Sequence, residues 1–373
     1  MGPVIKKAET REDINAFIRF PWNIYRDDPC WVPPLIGERK KFLDAQVNPF
    51  FEHAEAEYYL ALHADGTPAG RIALVLNSRH NEFHSEKIGF FGLFESVNDQ
   101  KVADLLLDIA YAWCQAKGLH SMRGPFNLST NHECGLLLEG FDTPPVMGIP
   151  YNLPYYQSLF EQWGLRKARD LISLKLDIVE IPTYLDRAVS RLAKRTRFTM
   201  RPFRMDRFEQ EVDIMWDIYN EAWNHNWGFV PMTQREFKFS AEEMKPIVRP
   251  EFCLFAEVEG EPAGFSLTLP DVNQVLINMD GRLFPFGWAR FLWGKSKINA
   301  FRVLALGVKK KFRRLGIDAC LYHETYKQFL ASGIRWCDMS WVLEDNLDIL
   351  RPIERIGGYS YKRHRIYERD CEI

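Results

Sequence analysis

The chain has 373 residues, 46% of them hydrophobic and 14% aromatic, with a net charge of −2. That length favours two domains with conventional cores, and the near-neutral charge supplies no global basic field for nucleic acid. Seven cysteines at scattered positions, none in a C-x-x-C spacing, point to reduced thiols and argue against a disulfide scaffold or a zinc site.

The opening MGPVIKKAETRED lacks the pattern of a signal peptide, and no apolar run is long enough to span a bilayer. A cytoplasmic protein is expected, in at most peripheral contact with the inner membrane face. Val4 to Ala8 reads as a strand, and a helix begins at Arg11 behind Thr10 as its cap. The Pro- and aromatic-rich FPWNIYRDDPCWVPPL reads as loop or broken helix. Glu57 to Leu76 is a strand pair around Asp65-Gly66, and Ile88 to Glu95 is a further strand. Gln100 to Lys117 is helical, with Val102, Leu106, Ile109 and Trp113 on one face and Gly118 just past its end.

The second half shows the same order. Phe203 to Phe208 reads as a strand, Gln210 to Trp223 as a helix and Phe252 to Leu269 as a strand pair. A strand at Val303 to Val308 and a helix ending at Gly333 follow. Then come a strand at Trp336 to Val342, a helix near Leu347 to Ile356 and a last strand at Tyr359 to Tyr367. Pro182 to Arg197 is expected as a basic linker helix between the halves. Gly66-Thr67-Pro68-Ala69-Gly70 matches Gly260-Glu261-Pro262-Ala263-Gly264 at a spacing of 194, and Asn152 with Gly164 matches Asn346 with Gly358 at the same spacing. Gly118 pairs with Gly333 at 215, so an extra segment is expected in each half, between Phe126 and Ile149 and between Asp271 and Ala300.

Val303 to Gly333 is the stretch with chemistry of its own. A strand that enters a glycine turn and a helix N-terminus presents unpaired N–H groups and a positive dipole end to an anion. The turn here holds Lys309, Lys310, Lys311, Arg313, Arg314 and Gly316, with Asp318 in the first helical turn. The matching turn of the first half, Ser96-Val97-Asn98-Asp99-Gln100, has neither glycine nor cation and should bind no phosphate.

The order β–α–β–β–β–α–β–α–β resembles the GNAT (GCN5-related) N-acyltransferase fold, whose signature is R/Q-x-x-G-x-G/A at a helix start. Arg313-Arg314-Leu315-Gly316-Ile317-Asp318 matches it except at Asp318. GPFNLSTNHECGLLLEGFDTPP, NEAWNHNWGFVP, LPDVNQ with GRLFPFGW, and SWVLEDN with YKRHRIYER resemble the bacterial ceramide synthase-like subgroup over nearly the full length. The resemblance implies an α/β (α+β) fold of two tandem GNAT-like domains, with mixed central sheets flanked by helices. Residues 1–178 would lack the phosphate loop and 179–373 would carry the acyl-CoA site, with no metal. The implied reaction moves a fatty acyl group from coenzyme A to an amino base of the sphingoid kind. Two rival readings remain, an acetyltransferase for a small polar amine and a non-catalytic acyl-CoA binder.

In such a site the thioester would contact Leu306, Val308, Arg313, Arg314, Leu315, Gly316, Ile317, Asp318 and Asn346, with backbone N–H groups in Leu306 to Val308 as oxyanion donors. The family's frequent tyrosine acid is replaced by Ile353, and by Leu159 in the first half. Candidate bases are Asp271, Glu133 and His132, all in the extra segments. Asn127, Asn131, Asn273, Trp223, Trp227, Phe229, Phe284, Phe286 and Trp288 are candidate substrate contacts. Aromatic and basic residues alternate through Leu283 to Lys297, which suits either an acyl-chain entrance or a membrane headgroup layer.

Overall fold

The computed structural model describes residues 2–192 and 198–372. It divides into two compact units: Met1–Leu171 with Leu276–Arg290 and Lys362–Ile373, and Ile172–Val275 with Phe291–Tyr361. The division departs from the sequence boundary of 178/179. The reason is pairing: residues 362–370 lie antiparallel to strands of the first unit, although they end the chain.

In the first unit β1 (Val4–Lys7) leads into α1 (Arg11–Arg19), which Thr10 and Asp13 close with a reciprocal capping box. The aromatic stretch that follows holds the short α2 (Pro21–Tyr25) and is otherwise turn and coil up to α3 (Ile36–Phe42), in line with the expected loop or broken helix. β2 (Ala54–Leu62), β3 (Pro68–Asn77), α4 (Ser78–His84) and β4 (Ile88–Ser96) precede α5 (Gln100–Ala116). Beyond α5 come β5 (Ser121–Gly124), β6 (Phe126–Asn127), β7 (Glu133–Cys134), β8 (Leu136–Glu139), α6 (Tyr155–Trp163) and β9 (Arg166–Asp177). β1 to β4 are antiparallel neighbours in that order, and β4 pairs with β5 in parallel. The sheet is therefore mixed. Val102, Leu106, Leu107 and Trp113 of α5 are buried against Ile72, Leu74, Phe91 and Tyr156, which anchors the helix to one face.

The second unit opens with α7 (Thr183–Leu192); the rest of the expected linker helix, 193–197, lies outside the described residues. The next strand, β10, is Phe198–Pro202, ahead of the expected Phe203 to Phe208. Phe203 and Phe208 instead enter the core beside Phe255, which stops the extended run at Pro202. α8 (Phe208–Trp223), α9 (Gln234–Met244), β11 (Cys253–Val258), β12 (Glu261–Pro270), α10 (Asn273–Leu276) and α11 (Gly287–Gly294) follow. The unit ends with β13 (Ala300–Val308), α12 (Ile317–Ala331), β14 (Trp336–Leu343), α13 (Leu347–Arg355) and the start of β15 (Tyr359–Asp370). β10 to β13 are antiparallel neighbours, and β13 pairs with β14 in parallel. Phe252, Phe301 and Val303 pack under Tyr326 and Phe329 of α12, while Phe265 and Leu267 pack with α8. Each unit is thus a mixed sheet with helices on its faces. Among the described residues, no helix is long and apolar enough to cross a membrane, and no cluster of His, Cys, Asp and Glu could hold a metal ion.

Candidate active site

In the second unit the parallel pairing of β13 with β14 runs over Ala300–Arg302, whereas β12 accompanies β13 to Val308. Residues 303–308 therefore continue beyond that parallel pairing. A register shift between Leu267 and Thr268 on β12 marks a bulge at Leu304, which bends the strand there. Lys309 N–H bonds Ala263 O at 2.8 Å toward β12. Antiparallel alternation then turns the N–H groups of Val308 and Leu306 to the other side. These are two of the predicted thioester contacts.

The turn after β13 is held by the protein itself. Lys309 Nζ sits 2.5 Å from Asp217, Lys311 pairs with Glu261, and Lys310 N–H donates to Glu221 at 2.9 Å. Arg313 donates to Val308 O at 3.3 Å and Ala222 O at 2.7 Å. The sequence reading gave all five cations of this turn to phosphate. Three of them are instead committed to carboxylates or carbonyls; among the described residues, the Arg314 and Lys310 side chains have no such partner. Arg314 adopts φ 74° and Gly316 φ 73°. For arginine that left-handed backbone is strained by about 1–3 kcal/mol; for Gly316 it is ordinary. A Cβ on Gly316 would stand 2.4 Å from Leu192 Cδ1 of α7. Gly316 is the N-cap of α12, and among the described residues no side chain caps that helix. Leu315, Gly316, Ile317 and Asp318 thus surround an uncapped helix start, and the Asp318 side chain is exposed. Asn346 similarly precedes α13 without a side-chain cap bond.

Where the parallel pairing ends, Arg302 faces Asp338. Both are buried, with Arg302 Nε 3.8 Å from Asp338 Oδ1, and Tyr361 donates to Asp338 Oδ2 at 2.6 Å. Burial first, and the Asp338 charge second, push the Tyr361 hydroxyl well above its ordinary pKa; Asp271 adds to the shift. Asp271 is itself buried, bonds Ala300 O through its N–H at 2.9 Å, and accepts Asn273 N–H at 3.3 Å. The candidate base is therefore part of a buried polar group that also holds Arg302, Asp338 and Tyr361. The sequence reading missed these three. The available signal was a charge inside an apolar strand, in AFRVLALGV and WCDMSWVL.

Trp223 lies against the same strand: a Cβ on Gly307 would meet its ring at 2.3 Å. Tyr219 links Trp223 to the buried Phe229, and Trp227 follows in the same loop. Phe284, Phe286 and Trp288, expected as substrate walls, are 78%, 75% and 51% exposed. Ile353 is buried in the apolar core, so that position cannot supply an acid.

The remaining candidates belong to the first unit and are tied into its scaffold. Asn127 Oδ1 accepts Leu93 N–H at 2.8 Å, and its amide donates to Glu133 at 2.8 Å. Glu133 also pairs with Arg39. Burial raises the Glu133 pKa, but Arg39 and the Asn127 bond outweigh it and hold it below the ordinary value. His132 Nδ1 is 3.0 Å from Ser129 Oγ, with its ring edge-on to Phe42 and Phe50; Asn131 N–H bonds the same hydroxyl at 3.2 Å. Glu133 and His132, the candidate bases of the first unit, thus both have partners around the β6–β7 loop.

The turn after β4 differs in the same way. Val97 N–H bonds Ala69 O at 2.9 Å, as Lys309 bonds Ala263, so Ser96 holds the place that Val308 holds. Ser96 N–H is taken by Tyr156 Oη at 3.1 Å and Ser96 O by Tyr155 at 2.6 Å. Asp99 caps α5 by accepting Lys101 N–H. β6 lies so close to β4 that a Cβ on Gly92 would stand 1.7 Å from Phe126 O.

No family model matches the chain. Protein YghO of Escherichia coli (strain K12) is 37% identical over 375 residues, covering 98% of this chain and 95% of that protein. The bacterial ceramide synthase of Caulobacter vibrioides is 35% identical over 370 residues, covering 97% of this chain and 96% of the synthase. Among solved structures, a tandem GNAT protein from the clavulanic acid biosynthesis pathway matches with a TM-score of 0.57. It is 11% identical and covers 100% of this chain and 98% of that one, a likeness of fold alone.

Proposed function

The chain belongs to the family of the Caulobacter ceramide synthase and Escherichia coli YghO, within the GNAT acyltransferase superfamily, and from that premise we propose an acyl-CoA-dependent N-acyltransferase. It is built of two tandem GNAT-like domains, of which the second binds the thioester. The observation that carries this reading is the contrast at one register position. Val308 and the uncapped α12 leave backbone donors for a ligand, while Ser96 and α5 have theirs filled by Tyr156 and Asp99.

The pyrophosphate of the acyl-CoA lies on the start of α12, with Arg314 supplying charge. The thioester carbonyl points its oxygen at the N–H groups of Leu306 and Val308, which stabilise the tetrahedral oxyanion. A neutral amine attacks the carbonyl carbon; the C–N bond forms, the C–S bond breaks, and coenzyme A leaves as thiolate. A thiol pKa of about 8.5 makes that leaving group workable without a tyrosine at position 353. Asp271, the one candidate base in the second unit, takes the amine proton. The acceptor is a long-chain amino base of the sphingoid class, giving a ceramide. The name of the Caulobacter relative supports this, as do the aromatic side chains of Trp223 and Phe229 on and near β13.

Calorimetric titration with long-chain acyl-CoA and acetyl-CoA, followed by mass spectrometry of products with a sphingoid base, tests the proposal. Tighter binding of the long-chain thioester and an amide product are expected. Binding without chain-length preference and without that product would turn the reading to a small-amine acetyltransferase. Absence of binding by both thioesters would sink the transferase itself.

A further inference from the structure

The segment 282–297 carries an apolar surface that the rest of the chain leaves uncovered. Leu283, Phe284, Phe286, Trp288, Leu292 and Trp293 are 37% to 85% exposed. Single exposed hydrophobic residues are ordinary, but six within one short segment form a patch with a use. Four exposed cations stand among and beside them: Arg282, Arg290, Lys295 and Lys297. No acidic residue lies between Asp280 and Asp318. The start of the segment is fixed. Trp22 Nε1 donates to Asp280 at 2.6 Å, Ile36 N–H to Gly281 O at 3.0 Å, and Arg290 to Asn278 O at 3.3 Å. The matching connection of the first unit, α4, exposes one large hydrophobic residue, Phe83.

We propose that this segment docks on the surface of an anionic lipid bilayer. Phe284, Phe286, Trp288 and Trp293 enter the boundary between headgroups and acyl chains, where amphipathic and aromatic side chains are favoured. The four cations face anionic headgroups. Charge decides between occupants. A second copy of the chain would bring the same four cations against these, and an apolar protein groove would leave them without counter-charge. The helix α11 spans Gly287–Gly294, far short of the roughly 20 residues needed to cross a bilayer. The contact is therefore with one face. The inference goes beyond acyl transfer and stands without it.

Co-sedimentation of the full chain with vesicles tests it, in a buffer without coenzyme A or amine so that the outcome is separate from catalysis. Two compositions are compared, phosphatidylcholine alone and phosphatidylcholine mixed with phosphatidylglycerol. Binding to the mixed vesicles is expected, about tenfold weaker on the neutral ones and at high salt. The double variant Phe284→Ser with Trp293→Ser should lose about tenfold or more in partitioning. Arg290→Glu with Lys295→Glu and Lys297→Glu should lose the preference for anionic lipid. Unchanged thermal unfolding of both variants certifies their fold. Binding to neither vesicle, equal binding to both, or an unaffected double variant would overturn the proposal. So would a lipid-free dimer in sedimentation velocity that the double variant abolishes and vesicles fail to compete away.

Discussion

Ser96 and Val308 sit at the same point of two similar strand–turn–helix arrangements, and what surrounds them is opposite. At Ser96 both backbone groups are already bonded. Its N–H and C=O are bonded to Tyr156 and Tyr155, Asp99 caps the following helix, and Asn127 takes the N–H of Leu93. Around Val308 the positions that match Tyr155 and Tyr156 are Ile349 and Leu350, which have no hydroxyl to offer. α12 has no side-chain cap, and residues 303–308 continue past the parallel pairing. The same backbone arrangement can thus have its donors open in one unit and closed by a few polar side chains in the other. An unsatisfied buried amide costs about 1–3 kcal/mol, so the first unit gains stability by bonding the Ser96 N–H internally.

That contrast can be broken from either side. The largest effect is expected from Gly316→Trp, which fills the approach to the α12 N-terminus and forces a bulky residue into a left-handed backbone. Acyl-CoA affinity measured by calorimetry should fall more than about 100-fold, or about 2.7 kcal/mol. A Trp at Asn98, in the matching turn, should leave it unchanged. Next is Asn127→Leu, which strips the bond from Leu93 N–H and one from Glu133. Urea denaturation should register a loss of about 2 kcal/mol, with thioester affinity unaltered. A loss of affinity in that variant would contradict the scaffold role given to the first unit. Arg314→Ala should weaken acyl-CoA binding about tenfold, and less so at high salt.

The smallest effect is one of pH. Glu133 has its folded pKa held below the ordinary value of 4.5. Its contribution to stability is therefore complete above the unfolded value and lost as pH falls through the folded one. Thermal unfolding of the native chain should steepen its decline below about pH 4.5 relative to Glu133→Gln. Parallel curves for the two would detach Glu133 from the Arg39–Asn127 network.

Much of the fold was legible because its signals are local. Gly118 past the helix end bounded α5, and the Gly-x-Pro-x-Gly turns fixed β2–β3 and β11–β12. The Thr233–Glu236 capping box that starts α9 was equally local and went unread. The site was legible only in part. Gly316 and its cations stood out from the residues, and Leu306 to Val308 from the family resemblance, but the partners of Lys309, Lys311 and Arg313 did not. Asp217, Glu261 and the Ala222 carbonyl lie many residues away in sequence, and nothing local says which cation is spoken for. The same holds for Glu133 and His132, whose neighbours Arg39, Phe42 and Phe50 lie far earlier in the sequence.

The sequence by itself determined where an anion-binding turn is chemically possible and where it is not, since glycine, cations and their absence are properties of the residues. Tertiary structure alone decided which donors remain for a ligand. A hydrogen bond is settled by which groups come within about 3 Å, and that depends on how distant segments pack. Tyr155 and Tyr156 close one strand from about sixty positions away, and the matching positions of the second unit, Ile349 and Leu350, bring no hydroxyl.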